Sequence, residues 1–262
     1  MIPQRAALIY VGIHPSPVGR LIARAAPDVP VVSCQTVSSA MHAIARGRVQ
    51  LLACEPQDMA GQRTEGLLTS VSTRYRTIGT IGVVPRARVD GGALVRLVQA
   101  GVHSLLMSDE RLSTLDCRRA MTEACVRAGV GSVASSLLAL VPRPARLLLE
   151  YGLRYSAEAV SVARAAEALQ VHRKTLFWWC TQAGLPAPQQ LLGWCRLLAV
   201  ASLLEDSGRR VDHIALDLEF PSGTALRNML LRYTGLSPSQ LRTRDALVSM
   251  HEQIASALRG GS

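Results

Sequence analysis

Among the 29 lysine and arginine side chains of this 262-residue chain, only one is a lysine, Lys174. Its position limits the chemistry available. No Gly-Lys pair exists, so a phosphate-cradling loop of the GxxxxGK(S/T) type is excluded. No reaction that needs a lysine can be housed in residues 1–173. The six cysteines, at positions 34, 54, 117, 125, 180 and 195, form no CxxC pair and no Cys/His cluster. They read as buried thiols of a reducing compartment, neither a zinc site nor a disulfide framework. His14, His42, His103, His213 and His251 show no ligand spacing and read as satisfied structural residues. No Ser/His/Asp or paired-carboxylate arrangement stands out. The expectation is a chain with no catalytic residues, no metal and no cofactor.

The elements that carry these residues change character along the chain. Ala6–Gly12 is a continuous apolar run, suited to a strand buried on both faces. Ser16-Pro17 offers an N-cap and a proline at the first helical position. Val31–Cys34, Val49–Cys54, Thr77–Val84 and His103–Met107 are further strands. Helical stretches lie between them, one opened by Thr36 and stopped by Gly47, others near 62–73, 91–99 and 111–127. This alternation over residues 1–127 predicts a five-stranded, doubly wound parallel sheet of the flavodoxin- or CheY-like kind. Residues 128–150 open with a stretch free of charge until Arg143, with small-residue clusters and two prolines, and read as a linker. From Ala145 onward every pattern is helical, giving a second domain at 151–245 and a C-terminal helix or tail at 246–262. The fold class is therefore α/β followed by all-α, and 48% hydrophobic residues suffice for packed cores. The longest uncharged run, Thr175 to Cys195, is broken by Gly184, Pro186 and Pro188, so no membrane span is expected. The short apolar start makes a better first strand than a signal peptide.

Two stretches of the helical half have helix-turn-helix grammar. In the first, Ala166, Leu169 and Val171 lead into Arg173-Lys174-Thr175-Leu176. In the second, Ile214-Ala215 precedes Leu218-Glu219-Phe220, and Pro221-Ser222-Gly223-Thr224 opens a helix with Leu226 and Leu230 inward. Between them, Pro188 to about Asp206 predicts a helix with Leu191, Trp194, Cys195, Leu198 and Ala201 on one face. Roughly 20 residues rise about 30 Å, close to the ~34 Å between successive major-groove segments on one face of a duplex.

Residues 155–242 resemble the DNA-binding domain of the AraC/XylS transcriptional regulators. The resemblance is carried by Ile214-Ala215, Phe220, Ser222, Gly235-Leu236-Ser237-Pro238 and Arg242. The chain departs from the family pattern at Glu219, where the family has a turn glycine. It departs again at Leu226 and Leu230 (phenylalanines), at Asn228 and Trp178 (arginines) and at Cys180 (phenylalanine). The resemblance implies that the first recognition helix presents Arg173, Lys174, Phe177 and Trp178, and the second Ser222, Gly223, Thr224, Arg227 and Asn228. Arg173 and Lys174 suit phosphates or guanine edges, Asn228 an adenine, and Thr224 a hydrogen bond or a thymine methyl. Arg173 also reads as a solvated helix-start residue without a base contact. Of the aromatic run, Trp179 is expected in the core and Trp178 outside.

The N-terminal half, with Ala100-Gly101-Val102-His103 leading into its last strand, resembles response-regulator receiver domains. Their phosphotransfer needs an acidic pair after the first strand, an aspartate after the third and a lysine after the fifth. The first acidic residue here is Asp28, Cys54 and Glu55 follow the third strand, and Met107 or Ser108 stands at the lysine position. Metal-dependent phosphotransfer is therefore excluded. Glu55 reads as a permanent carboxylate standing in for a charged state, or as a surface loop residue. Cys54 raises a redox role without an evident cation to activate it. The domain is left with dimerisation, packing on the helical half, or ligand sensing.

The net charge of +10 suits a polyanion partner. Its distribution is lopsided, with 17 basic and 10 acidic residues in 1–150 against 12 and 9 in 151–262. The combined expectation is a cytoplasmic, sequence-specific DNA-binding regulator with a non-phosphorylatable receiver-like domain. Its partners would be double-stranded DNA, a second copy in a homodimer and RNA polymerase, with no membrane. The rival is an adaptor that docks a protein through its tryptophans.

Overall fold

The computed structural model describes residues 7–12, 17–27, 29–47, 49–86, 91–206, 208–243 and 245–259. The capping role expected of Ser16, and the positions of His14 and Asp28, lie outside the described residues. The chain divides into two compact units, Met1–Ala128 and Gly129–Ser262.

The first unit alternates strand and helix throughout: β1 Ala7–Val11, α1 Pro17–Ala25, β2 Val31–Cys34, α2 Val37–Arg46, β3 Val49–Cys54, α3 Glu65–Arg74, β4 Gly79–Pro85, α4 Gly91–Gln99, β5 Ser104–Ser108, and then α5 Thr114–Ala139. The strands form one parallel sheet in the order β2-β1-β3-β4-β5. That is the doubly wound order expected from the sequence, with its switch point between β1 and β3. Side chains alternate across a strand. Ile9, Val11, Leu52, Cys54 and Val84 join Ala40 and Ile44 of α2, Leu67, Leu68 and Val71 of α3 and Leu97 of α4 in one apolar cluster. Leu8, Tyr10, Leu51, Ala53, Ile81 and Val83 are buried on the other face. Local signals explain the sharp helix ends. Thr36 forms a reciprocal capping box with Ser39, and Gly47 closes α2 with a bond to the Ala43 carbonyl.

The uncharged stretch expected as a linker is largely helical. Residues 128–139 continue the 26-residue α5, and α6 runs Ala145–Arg154. Val130, Leu137 and Val141 of this stretch are buried, at 4% exposure or less.

The second unit continues with α7 Val162–Ala168, α8 Arg173–Gln182, α9 Pro188–Leu204, α10 Val211–Asp217, α11 Gly223–Thr234, α12 Pro238–Thr243 and α13 Ala246–Arg259. The 17-residue α9 is its axis. Expected to bury one face, it is instead buried on all sides from Leu191 to Leu204. A helix apolar all round is a core helix. Both α6 and α13 pack on it, and α13 contributes Leu247, Met250, Ile254 and Leu258 to the core. Among the described residues, no helix is long and apolar enough to cross a membrane.

Candidate nucleic-acid interface

Two helix pairs in the second unit are built alike. In the pair α7–α8, the turn closes with the Val171 N–H donating to the Ala166 carbonyl at 2.9 Å. In the pair α10–α11, Phe220 donates to Ala215 at 2.8 Å. The small residues Ala165 and Ala166 of α7 and Ala215 of α10 are buried. Both turns pass through the left-handed region on a side chain that is not glycine, Gln170 at φ 53° and Glu219 at φ 55°. Glu219 thus adopts the backbone conformation of the turn glycine it replaces. The second turn is one residue longer, 218–222 against 169–172.

The second helix of each pair is capped at its start, which satisfies one of its free N–H groups. His172 Nδ1 accepts from the Lys174 N–H at 3.2 Å, and Ser222 Oγ accepts from the Ala225 N–H at 3.1 Å. On α8, Leu176, Trp179 and Cys180 face inward. Arg173, Lys174, Phe177 and Trp178 are exposed, Trp178 at 57% against 9% for Trp179. The tryptophan run divides as the sequence suggests. On α11, Leu226 and Leu230 are fully buried in place of phenylalanines. Thr224, Arg227 and Asn228 are exposed together, one helical turn apart. Gly223 departs from expectation: it is buried, and a Cβ there would lie 1.8 Å from Asp212 Oδ1.

Two residues of this site were not singled out from sequence. Asp212, in the first turn of α10, reaches Arg227 with Oδ1–Nη2 at 3.2 Å. Arg196, on the buried α9, donates Nη2 to the Leu218 carbonyl at 2.5 Å and to that of Glu219 at 3.3 Å. Its guanidinium lies 4.3 Å from the centre of the Phe220 ring. It therefore braces the longer turn from inside the core. Burial pulls its pKa below the ordinary arginine value, with the Glu219 charge opposing that fall. The available signal was one arginine in the otherwise uncharged run Leu191–Leu204. Arg242, the terminal arginine of the family pattern, donates to the Arg209 carbonyl in the loop before α10. Arg209 itself pairs with Asp217 at 2.5 Å.

In the first unit, Glu55 is not a surface loop residue. It is 9% exposed, its N–H donates to the Val11 carbonyl at 2.8 Å, and its carboxylate accepts the Tyr10 hydroxyl proton. The carboxylate lies over Gly12, where a Cβ would come within 2.7 Å of Glu55 Cδ. Cys54 is fully buried and burial pushes its thiol far up, which removes the thiolate that redox chemistry needs. All six cysteines are free and buried, and no cluster fit for a metal ion occurs among the described residues.

Residues 165–244 match the family model of a helix-turn-helix domain. The AraC-type resemblance thus holds across both helix pairs. No curated protein matches the chain. Solved structures similar to it include a DNA-binding transcriptional dual regulator from Escherichia coli K-12, at 20% identity over 40% of this chain and 94% of that one, TM-score 0.35. A response regulator receiver domain protein from Clostridium thermocellum matches at 13% identity over 45% and 93%, TM-score 0.36. RcsB from Salmonella enterica serovar Typhimurium, solved bound to the promoter rprA, matches at 13% identity over 72% and 98%, TM-score 0.37. The receiver-like fold rests on this chain's own strand order rather than on these likenesses.

Proposed function

We propose, from the AraC-type helix-turn-helix domain that residues 165–244 form, that this chain is a sequence-specific DNA-binding transcriptional regulator. It acts in the cytoplasm by binding, without catalysis or cofactor. In this reading α8 and α11 enter adjacent major-groove segments of one duplex. The observation that carries it is the pair of capped helices, α8 presenting Arg173, Lys174, Phe177 and Trp178, and α11, with its cap Ser222, presenting Thr224, Arg227 and Asn228. Gly223 contributes through its place at the start of α11. The cationic groups meet phosphates or guanine edges, and Asn228 and Thr224 are suited to base edges. The 17 residues of α9 supply about 25 Å of rise, most of the ~34 Å between successive groove segments.

The first unit serves dimerisation or sensing and takes no phosphoryl group. Supporting this, Glu55 fills the space above Gly12 at the ends of β1 and β3, and no lysine exists in residues 1–173. A homodimer bound to DNA and in contact with RNA polymerase completes the reading.

Selection of duplexes from a random pool tests it. The parent chain enriches a defined sequence. Arg173→Ala with Lys174→Ala lowers its affinity and reduces the salt slope by about one for each phosphate no longer neutralised. The exposed Phe177 and Trp178 also fit a protein-docking adaptor. Under that reading no duplex is enriched and the double variant changes nothing on DNA.

A further inference from the structure

We infer that Asp212 is a positioning residue for base selection, holding Arg227 on the α11 surface and withholding its charge from general phosphate binding. The inference rests on the DNA-binding reading above and adds a residue to it.

Arg227 stands four residues after Gly223, so both lie on the same side of α11. The Asp212 carboxylate fills the space where a side chain at 223 would sit, and the Arg227 Nη1 comes 3.0 Å from that same point. Glycine at 223 is thus required by the ion pair, since any side chain would push the carboxylate away. Gly223 has a second meaning beyond the one read from sequence: it is the seat of the Asp212–Arg227 contact.

Both partners remain partly solvated, with side-chain exposures of 54% for Asp212 and 44% for Arg227. A pair this exposed adds little to stability and yields readily to a better partner. One Oδ1–Nη2 contact occupies part of a guanidinium that carries five N–H donors, leaving the rest free for a guanine edge. The carboxylate also brings a negative charge to the surface that DNA approaches. On an arbitrary sequence, where Arg227 would gain only a phosphate, Asp212 competes for the cation and repels the backbone. On the preferred sequence, the base contact of the oriented guanidinium outweighs that repulsion. The contribution is to the ratio of specific to non-specific binding.

The test uses the full chain, its selected duplex and random competitor duplex, over a range of salt. Asp212→Asn keeps the shape and removes the charge. It is expected to raise competitor affinity by up to about fivefold, the scale of one exposed ion pair. It should also steepen the competitor salt slope by about one and lower the selectivity ratio. Gly223→Ala, which displaces the carboxylate, reproduces part of the change. Asp212→Asn has a smaller effect in an Arg227→Ala background, where only the direct repulsion of the backbone is left to lose; an equal effect in both backgrounds overturns the inference. An unchanged ratio, or an equal fall in both affinities, overturns the inference while DNA binding stands. A parent chain that selects no duplex overturns both.

Discussion

Gln170 and Glu219 stand at the same point of two successive turns, each in the left-handed region, with φ of 53° and 55°. The two turns share their closing hydrogen bonds, yet neither uses the glycine that this conformation favours. A left-handed side-chain residue costs about 1–2 kcal/mol, partly offset by the unfolded-state entropy that a glycine would add. Glu219→Gly and Gln170→Gly are expected to raise stability by about 0.5–1 kcal/mol each. Glu219→Val should lower it by more than about 1 kcal/mol, because a β-branched residue is a genuine outlier there. Urea unfolding midpoints check both signs.

Arg196 carries the second turn from within the core. Arg196→Ala leaves the Leu218 and Glu219 carbonyls without this donor and strips the cover from Phe220. The expected loss is about 2–3 kcal/mol, that of a hydrogen bond to a charged group with some packing. Arg196→Lys keeps the charge but not the planar fork, and recovers only part of it. Urea unfolding of the two variants, with DNA affinity as second readout, separates the contributions. A neutral Ala variant would show that the brace does nothing.

Neighbouring tryptophans have opposite roles. Trp179→Ala is expected to cost about 3–5 kcal/mol, as for truncation of a buried aromatic. Trp178→Ala, at an exposed position, should stay within about 0.5 kcal/mol of the parent. Its effect falls on duplex affinity instead. Thermal unfolding and a DNA titration on the same two proteins make the comparison. Similar stabilities for both variants would contradict the division of the pair.

His103 gives the first unit an acid-sensitive element. Its Nδ1 lies 3.1 Å from the Thr80 N and 2.8 Å from the Thr80 Oγ1, and a proton on Nδ1 would cost the first of these bonds. Burial, and after it the Arg127 charge, hold its pKa below the ordinary 6.5. A depressed histidine binds its proton more tightly in the unfolded chain. Its contribution is therefore intact above pH 6.5 and is lost as the pH falls through that value toward the folded-state one. Nuclear magnetic resonance titration of the ring should give a midpoint below 6.5, and His103→Gln should flatten this part of the pH–stability curve. A midpoint at or above 6.5 would remove the argument.

Much of the fold was legible because its signals are local. Val31–Cys34 and Val49–Cys54 are strands at the residues where the apolar runs lie. Thr36 and Gly47 bound their helix by capping chemistry that needs no tertiary partner. The two helix pairs were legible for a similar reason, since small, apolar and capping residues recur at fixed spacing. Residues 128–139, expected as a linker, are helical, because an uncharged, small-residue stretch suits either; the boundary between the two units does fall at its start. Asp212 was passed over because nothing in Val211-Asp212-His213 shows that a helix turn distant in sequence stands opposite.

Residue types alone settle that lysine chemistry is missing from residues 1–173. Functional groups cannot be supplied by folding, so the single lysine at 174 decides this whatever the shape of the chain. The order of residues likewise settles the alternation of elements, through continuous apolar runs for the strands and a 3.6-residue period for the helices. Which side chains meet was left to the tertiary structure. Arg196 reaches the turn at Leu218, Glu55 covers Gly12, and Asp212 fills the space beside Gly223 because packing joins positions on different elements of the chain. Such contacts depend on the approach of whole elements, and no local pattern encodes them.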